Sequence, residues 1–151
     1  MNTQLLENLM IVARDVTQAE RGVVVDVDLN ILKLDNADTT FLESNDYTKF
    51  AVSNLRQALK TNEAIIGNNV VQDLSSAPIT NTNFANLRMA LILPVMGHGA
   101  IYLDRPIRSG VIQKVTVDRL MALIKTVLSE NPAPDLTGLF ERYKAQNIEA
   151  E

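Results

Sequence analysis

Arg88, Tyr102 and the amides around Phe84 are the side chains of this sequence whose chemistry is worth weighing first. Arg88 opens the apolar run "LRMALILPV". A guanidinium there suits an anionic ligand, but a nearby carboxylate or loop carbonyl would satisfy it too, and that structural pairing is the plainer reading. Tyr102 has a hydroxyl to offer a ligand or a loop carbonyl, although a buried ring with a satisfied O–H needs no further role. Asn81, Asn83, Phe84 and Asn86 lie in the polar stretch "QDLSSAPITNTNFAN". Amides with one aromatic suit a small polar or heteroaromatic ligand. Equally, asparagines populate turns, and Phe84 is large enough to fill a pocket with its own ring.

The acids and the single imidazole promise less. Asp26 and Asp28 stand two apart on one strand face without the further oxygen ligands a hard cation wants, which leaves them as solvated strand-end charges. His98, the only histidine, sits in a tight turn with no second metal ligand beside it, so it reads as an exposed turn residue. Asp104-Arg105 ends a strand with no nucleophile or base placed next to it, which favours a structural role at the strand–loop junction. No catalytic constellation, metal site or cofactor site is readable, and an enzyme is the least favoured class.

Composition narrows the field. The 151 residues suffice for one domain with a substantial core. A net charge of −4 with thinly spread basic residues argues against nucleic acid or an acidic membrane surface as partner. The absence of cysteine excludes disulfides, thiolate nucleophiles, thioether-linked chromophores and cysteine-type zinc sites. The opening "MNTQLLENLM" does not resemble a signal peptide, and no apolar run approaches the ~20 residues of a transmembrane helix. A cytoplasmic protein is expected.

The elements that must position these residues follow from periodicity. Leu5, Leu9, Val12 and Val16, with Leu6, Met10 and Ala13 beside them, predict a helix over about 3–18. "VVVDVD" alternates as a strand, Val23, Val25 and Val27 on its dry face, and turns through Asp28-Leu29-Asn30 into the strand "ILKLD". A second helix is expected from Asp46 to Lys60, then a short buried strand "AIIG". The polar stretch 72–86 is long for a connection inside a compact domain, which marks it as functional or mobile. Leu87–Met96 is apolar on both faces and predicts a central strand, with a bulge or break at Pro94. Gly97 and Gly99 form the hairpin turn into Ala100–Leu103. Thr116 is the expected N-cap of a last helix to about Ser129, stopped by "NPAP", and the tail from Asp135 has the pattern of one more short helix. The fold class is α+β. An antiparallel sheet carries the terminal helices on one face, and the middle of the chain must cover the other.

Five blocks then resemble, in order and spacing, a GAF domain: "AERGVVVDVD" at 19–28, "AVSNLRQALKTNEAII" at 51–66, "LRMALILPV" at 87–95, "AIYLDR" at 100–105 and "VDRLMALIKTVL" at 117–128. The resemblance implies a single PAS-like domain over 1–130 with a tail at 131–151. It implies a sheet of six antiparallel strands or nearly so, a ligand chamber between the sheet and a lid at 72–86, and homodimerisation through helices 3–18 and 117–130. Asn83, Phe84, Asn86, Arg88 and Tyr102 become the pocket candidates. The departures are equally informative. "NTNFAN" lacks the lysine and acidic pair of the cyclic-nucleotide-binding members. Without cysteine, the bilin-binding and methionine sulfoxide-reducing activities lose their chemistry. Two readings remain: a sensor domain whose small-molecule ligand biases the packing of dimer helices, or a ligand-free dimerisation or protein-interaction module with a filled chamber. The sequence ends soon after the last helix without a kinase, cyclase or DNA-binding segment, so it acts on a separate partner or belongs to a longer signalling protein.

Overall fold

The structure, a computed structural model, describes residues 3–43, 46–71, 87–106 and 112–146. The elements run α1 (Thr3–Thr17), β1 (Arg21–Val25), β2 (Ile31–Asp35), α2 (Thr39–Glu43), a π-helical turn (Asp46–Ala51) leading into α3 (Val52–Thr61), β3 (Ile65–Val71), β4 (Leu87–Val95), β5 (Gly99–Pro106), α4 (Lys114–Leu128) and α5 (Leu136–Ala145). The strands form one antiparallel sheet in the order β2-β1-β5-β4-β3, five strands among the described residues.

The expected two-sided burial of β4 is present. Met89, Leu91, Leu93 and Val95, with Val24, Ile101 and Leu103 from the neighbouring strands, pack against Leu5, Leu6, Leu9 and Met10 of α1 and Leu120, Leu123 and Ile124 of α4. Leu139 and Tyr143 of α5 belong to this same core. Ala90 and Ile92, with Val23, Val25, Ala100 and Tyr102, face the other way, under Phe41, Tyr47, Ala51, Leu55 and Ala58. The sheet is therefore covered on both faces, by the end helices on one side and by α2, the π turn and α3 on the other. Each large apolar side chain so enclosed is worth roughly 1.5–3 kcal/mol.

Several expectations need correction. Val27 is not on the strand: β1 ends at Val25, and Val27 is 47% exposed. The chain turns early because the Asp26 carboxylate accepts from the amides of Asp28 (2.8 Å) and Asn30 (2.9 Å) and from the Asn30 side chain (3.1 Å), an Asx-type turn that Leu29 completes at φ +70°. Asp26 is thus a loop anchor, not a merely solvated charge. The second helix starts with a π turn instead of regular helix from Asp46. Ala51 at the N-cap of α3 is already helical, so α3 needs no side-chain cap, and Asn62 in the left-handed region ends it by donating to the Ala58 carbonyl.

"AIIG" opens a longer strand, with its irregularity between Gly67 and Val70. No bulge occurs at Pro94. The β4–β5 register is unbroken from Arg88 to Val95, and the β3 ladder stops opposite Ile92, so Pro94 has a strand neighbour on one side only. α4 begins at Lys114 after Gln113, ahead of Thr116, and Gln113 makes no side-chain cap bond. His98 is in the turn, its N–H donating to Val95 (2.9 Å), but it is half-buried, with Nδ1 enclosed and unpaired among the described residues. Gly97 supplies the φ of +80° this turn requires. At Gly99 a Cβ would sit 2.0 Å from the Val25 carbonyl oxygen, so β5 lies close on β1 only as glycine.

α5 is secured to α4 by polar contacts. Arg142 makes a bidentate pair with Glu130 (3.0 and 2.8 Å), and the Arg119 guanidinium lies 4.3 Å from the Tyr143 ring centroid while donating to the Tyr143 carbonyl. Asp135 caps α5 by accepting from the Gly138 amide.

Candidate functional site

The covered face holds a polar centre under α2 and the π turn, while the 72–86 lid expected over a ligand chamber lies outside the described residues. Arg21 and Asp104 are cross-strand partners in the β1–β5 register. The Arg21 guanidinium donates to both Asp104 oxygens, Nε to Oδ1 at 2.9 Å and Nη2 to Oδ2 at 2.8 Å, while the Tyr102 hydroxyl donates to Oδ2 at 2.7 Å. Tyr102 and Asp104 stand two apart on one strand, which puts both side chains on the same face. Asp104 is 1% exposed and the Arg21 side chain 21%. Phe41 of α2 lies over the guanidinium at 4.0 Å, and its ring packs with Tyr47 (5.5 Å, edge-on) and Tyr102 (5.8 Å); Tyr47 meets Tyr102 at 6.3 Å. Burial pushes the Tyr47 phenol above its usual pKa. Three rings and a satisfied ion pair thus occupy this end of the covered face. Asp104 has the structural role expected of it, though through Arg21, a partner 83 positions away that the sequence reading did not single out.

The other end of the same cover is open. A cleft of about 740 Å³ lies between the C-terminal half of α3 and the two hairpin turns, β1–β2 and β4–β5. Val27, Asp28 and Leu29 form one wall, Pro94, Met96 and Gly97 a second, and Arg56, Leu59, Lys60 and Asn62 the third. Met96 is 63% exposed. Arg56 and Lys60 are one helical turn apart and therefore share a face of α3. No hydrogen bond or ion pair joins either to another described residue, whereas Arg14, Arg21 and Arg142 are all paired. The exposed large apolar side chains among the described residues fall in two places: Val27, Ile31 and Met96 at these hairpins, and Ile11 and Val115 on α1 and α4.

The sequence candidates are distributed as follows. Asn83, Phe84 and Asn86, with Asn81, lie outside the described residues, as does the side chain of Arg88, whose backbone pairs with Pro106 and Val70 in β4. Tyr102 is buried and donates to Asp104; it does not line the open cleft. Among the described residues no group of three or more histidine or acidic side chains is placed to hold a metal ion, and no helix is long and apolar enough to cross a membrane. The cleft residues Arg56 and Lys60 were legible only as the polar side of a helix; their nearness to two hairpin turns carries no local signal.

No protein-family model and no curated protein matches the sequence. Among solved structures, the chain is similar to the GAF domain/HD domain protein from Geobacter sulfurreducens, with a TM-score of 0.55 at 10% identity over 93% of this chain and 92% of that one. At that identity the likeness shows the fold, and this chain has a GAF-like fold.

Proposed function

We propose that the chain is a regulatory domain that takes a small molecule in the cleft beside α3 and passes occupancy to its end helices, through which it forms a homodimer. The observation that supports this reading is that the cleft and the helical layer share strands. Pro94 and Met96 line the cleft, while Leu93 and Val95, on the same stretch of chain, pack in the core with α1 and α4. A ligand that binds one arrangement of the hairpin better than another therefore has a short mechanical route to those helices. Ile11 and Val115 remain exposed on α1 and α4, apolar area that a second copy would cover.

The test combines native mass spectrometry of the purified protein with sedimentation of a Val115→Glu variant. The expected result is a dimer that carries, or accepts, a small molecule, and a monomer after the substitution. A monomeric wild type that takes up no compound from a diverse metabolite set sinks the reading. A second reading, a ligand-free interaction module, is favoured by one observation: Phe41, Tyr47 and Tyr102 fill the interior with the protein's own rings. It is the better account if the dimer forms and nothing binds.

A further inference from the structure

The lining of the cleft specifies a class of ligand, an inference that rests on the proposed use of this cleft as the binding site. Arg56 and Lys60 place two cations on one face of α3 and Asp28 of the β1–β2 turn adds a carboxylate, so the charged groups among the described lining residues sum to one positive charge. Neither cation has a partner among the described residues, and both are free to meet an anion. Beside them Val27, Met96 and the half-buried Leu59 offer apolar surface open to water, and the buried Pro94 completes the lining. Among the described residues no aromatic ring lines the cleft, and none of them offers a platform on which a base or other heteroaromatic group would stack. A volume of about 740 Å³ is in the range of small-molecule sites.

We infer that the cleft binds a small organic monoanion with an apolar body, a carboxylic acid bearing an aliphatic chain. The carboxylate bridges Arg56 and Lys60, since a planar guanidinium accepts both carboxylate oxygens and an ammonium adds a point charge. The chain lies along Leu59, Val27 and Met96, where burial is favourable in proportion to the apolar area covered. Asp28 disfavours a second negative charge, which selects a monocarboxylate over a dianionic phosphate ester or dicarboxylate.

Titration of the full chain with matched probes tests this, read by amide chemical shifts of Leu29, Lys60, Asn62 and Gly97: sodium octanoate, acetate, octanol, octylamine, and octyl phosphate. The expected order is octanoate tightest, with acetate and octanol each weaker by about tenfold because each lacks one half of the recognition. Arg56→Gln and Lys60→Gln each weaken octanoate by about three- to tenfold and leave octanol unchanged. Both positions are exposed, so unchanged melting temperatures will show that the variants fold. If octanol or octylamine moves the cleft amides as strongly as octanoate does, or octyl phosphate binds more tightly, the ligand class is wrong while the cleft stands as a site. If no probe moves them, both the class and the cleft as a binding site fall.

Discussion

Asp104 shows how much one side chain can hold when it is buried among donors. It accepts from Arg21 twice and from Tyr102 once, and its backbone carbonyl accepts from the Glu20 amide at 2.7 Å. Removing its charge leaves a guanidinium largely enclosed under Phe41 without its counterion. Asp104→Asn is expected to lower unfolding free energy by about 3 kcal/mol, a large share of a domain's usual 5–15 kcal/mol. Tyr102→Phe is expected to cost about 1.5–3 kcal/mol. Because both act on one carboxylate, the double variant should lose clearly less than the sum, and equilibrium urea unfolding of the cycle measures that coupling. Fully additive losses would mean that the network is not a unit.

Asp26 gives a pH signature. The Asn30 backbone amide first, then its side chain and the Asp28 amide, hold this carboxyl below the usual carboxylate range. A lowered folded-state pKa means the stabilisation is fully present above the unfolded value near 3.9 and is lost as pH falls through the lower folded value. The melting-temperature gap between wild type and Asp26→Asn is expected to be constant above about pH 5 and to shrink below about pH 4. A gap that stays constant down to pH 2 would remove Asp26 from this role.

Elements carry a different lesson. α5 lies beyond the five blocks that resemble the GAF pattern, yet Leu139 is fully buried in the core with α1 and α4. Leu139→Ala is expected to cost about 2–5 kcal/mol, since a rigid three-helix contact cannot close the cavity. Chemical denaturation measures this, and a loss below about 1 kcal/mol would mean that α5 is an appendage. The strands were legible because alternation and continuous apolar runs are local properties, as in Met89 to Val95. The start of α4 was not legible, because Gln113 is no customary cap and the more usual Thr116 is the third residue of the helix. Nor was the end of β1, since Val27 continues the apolar alternation while Asp26 has already turned the chain.

Across the whole molecule, the layers were more legible than the site. The demand that a doubly apolar β4 be covered led directly to end helices on one face and mid-chain elements on the other. The covering side chains could not be assigned that way. Arg21 meets Asp104, and Phe41 meets Tyr102, through strand register and helix placement, which only the folded chain sets. The cleft between α3 and two hairpin turns is a product of the same long-range assembly.

The covered face also has an optical consequence. The chain contains three tyrosines and no tryptophan, so its near-ultraviolet emission is tyrosine emission alone. Tyr102 is held against a carboxylate at 2.7 Å with Tyr47 close by, and a photoexcited phenol in that position passes its proton to the acceptor and goes dark. The native protein should accordingly glow weakly and brighten as it unfolds. That gives experimenters a label-free lamp wired to the state of one ion pair.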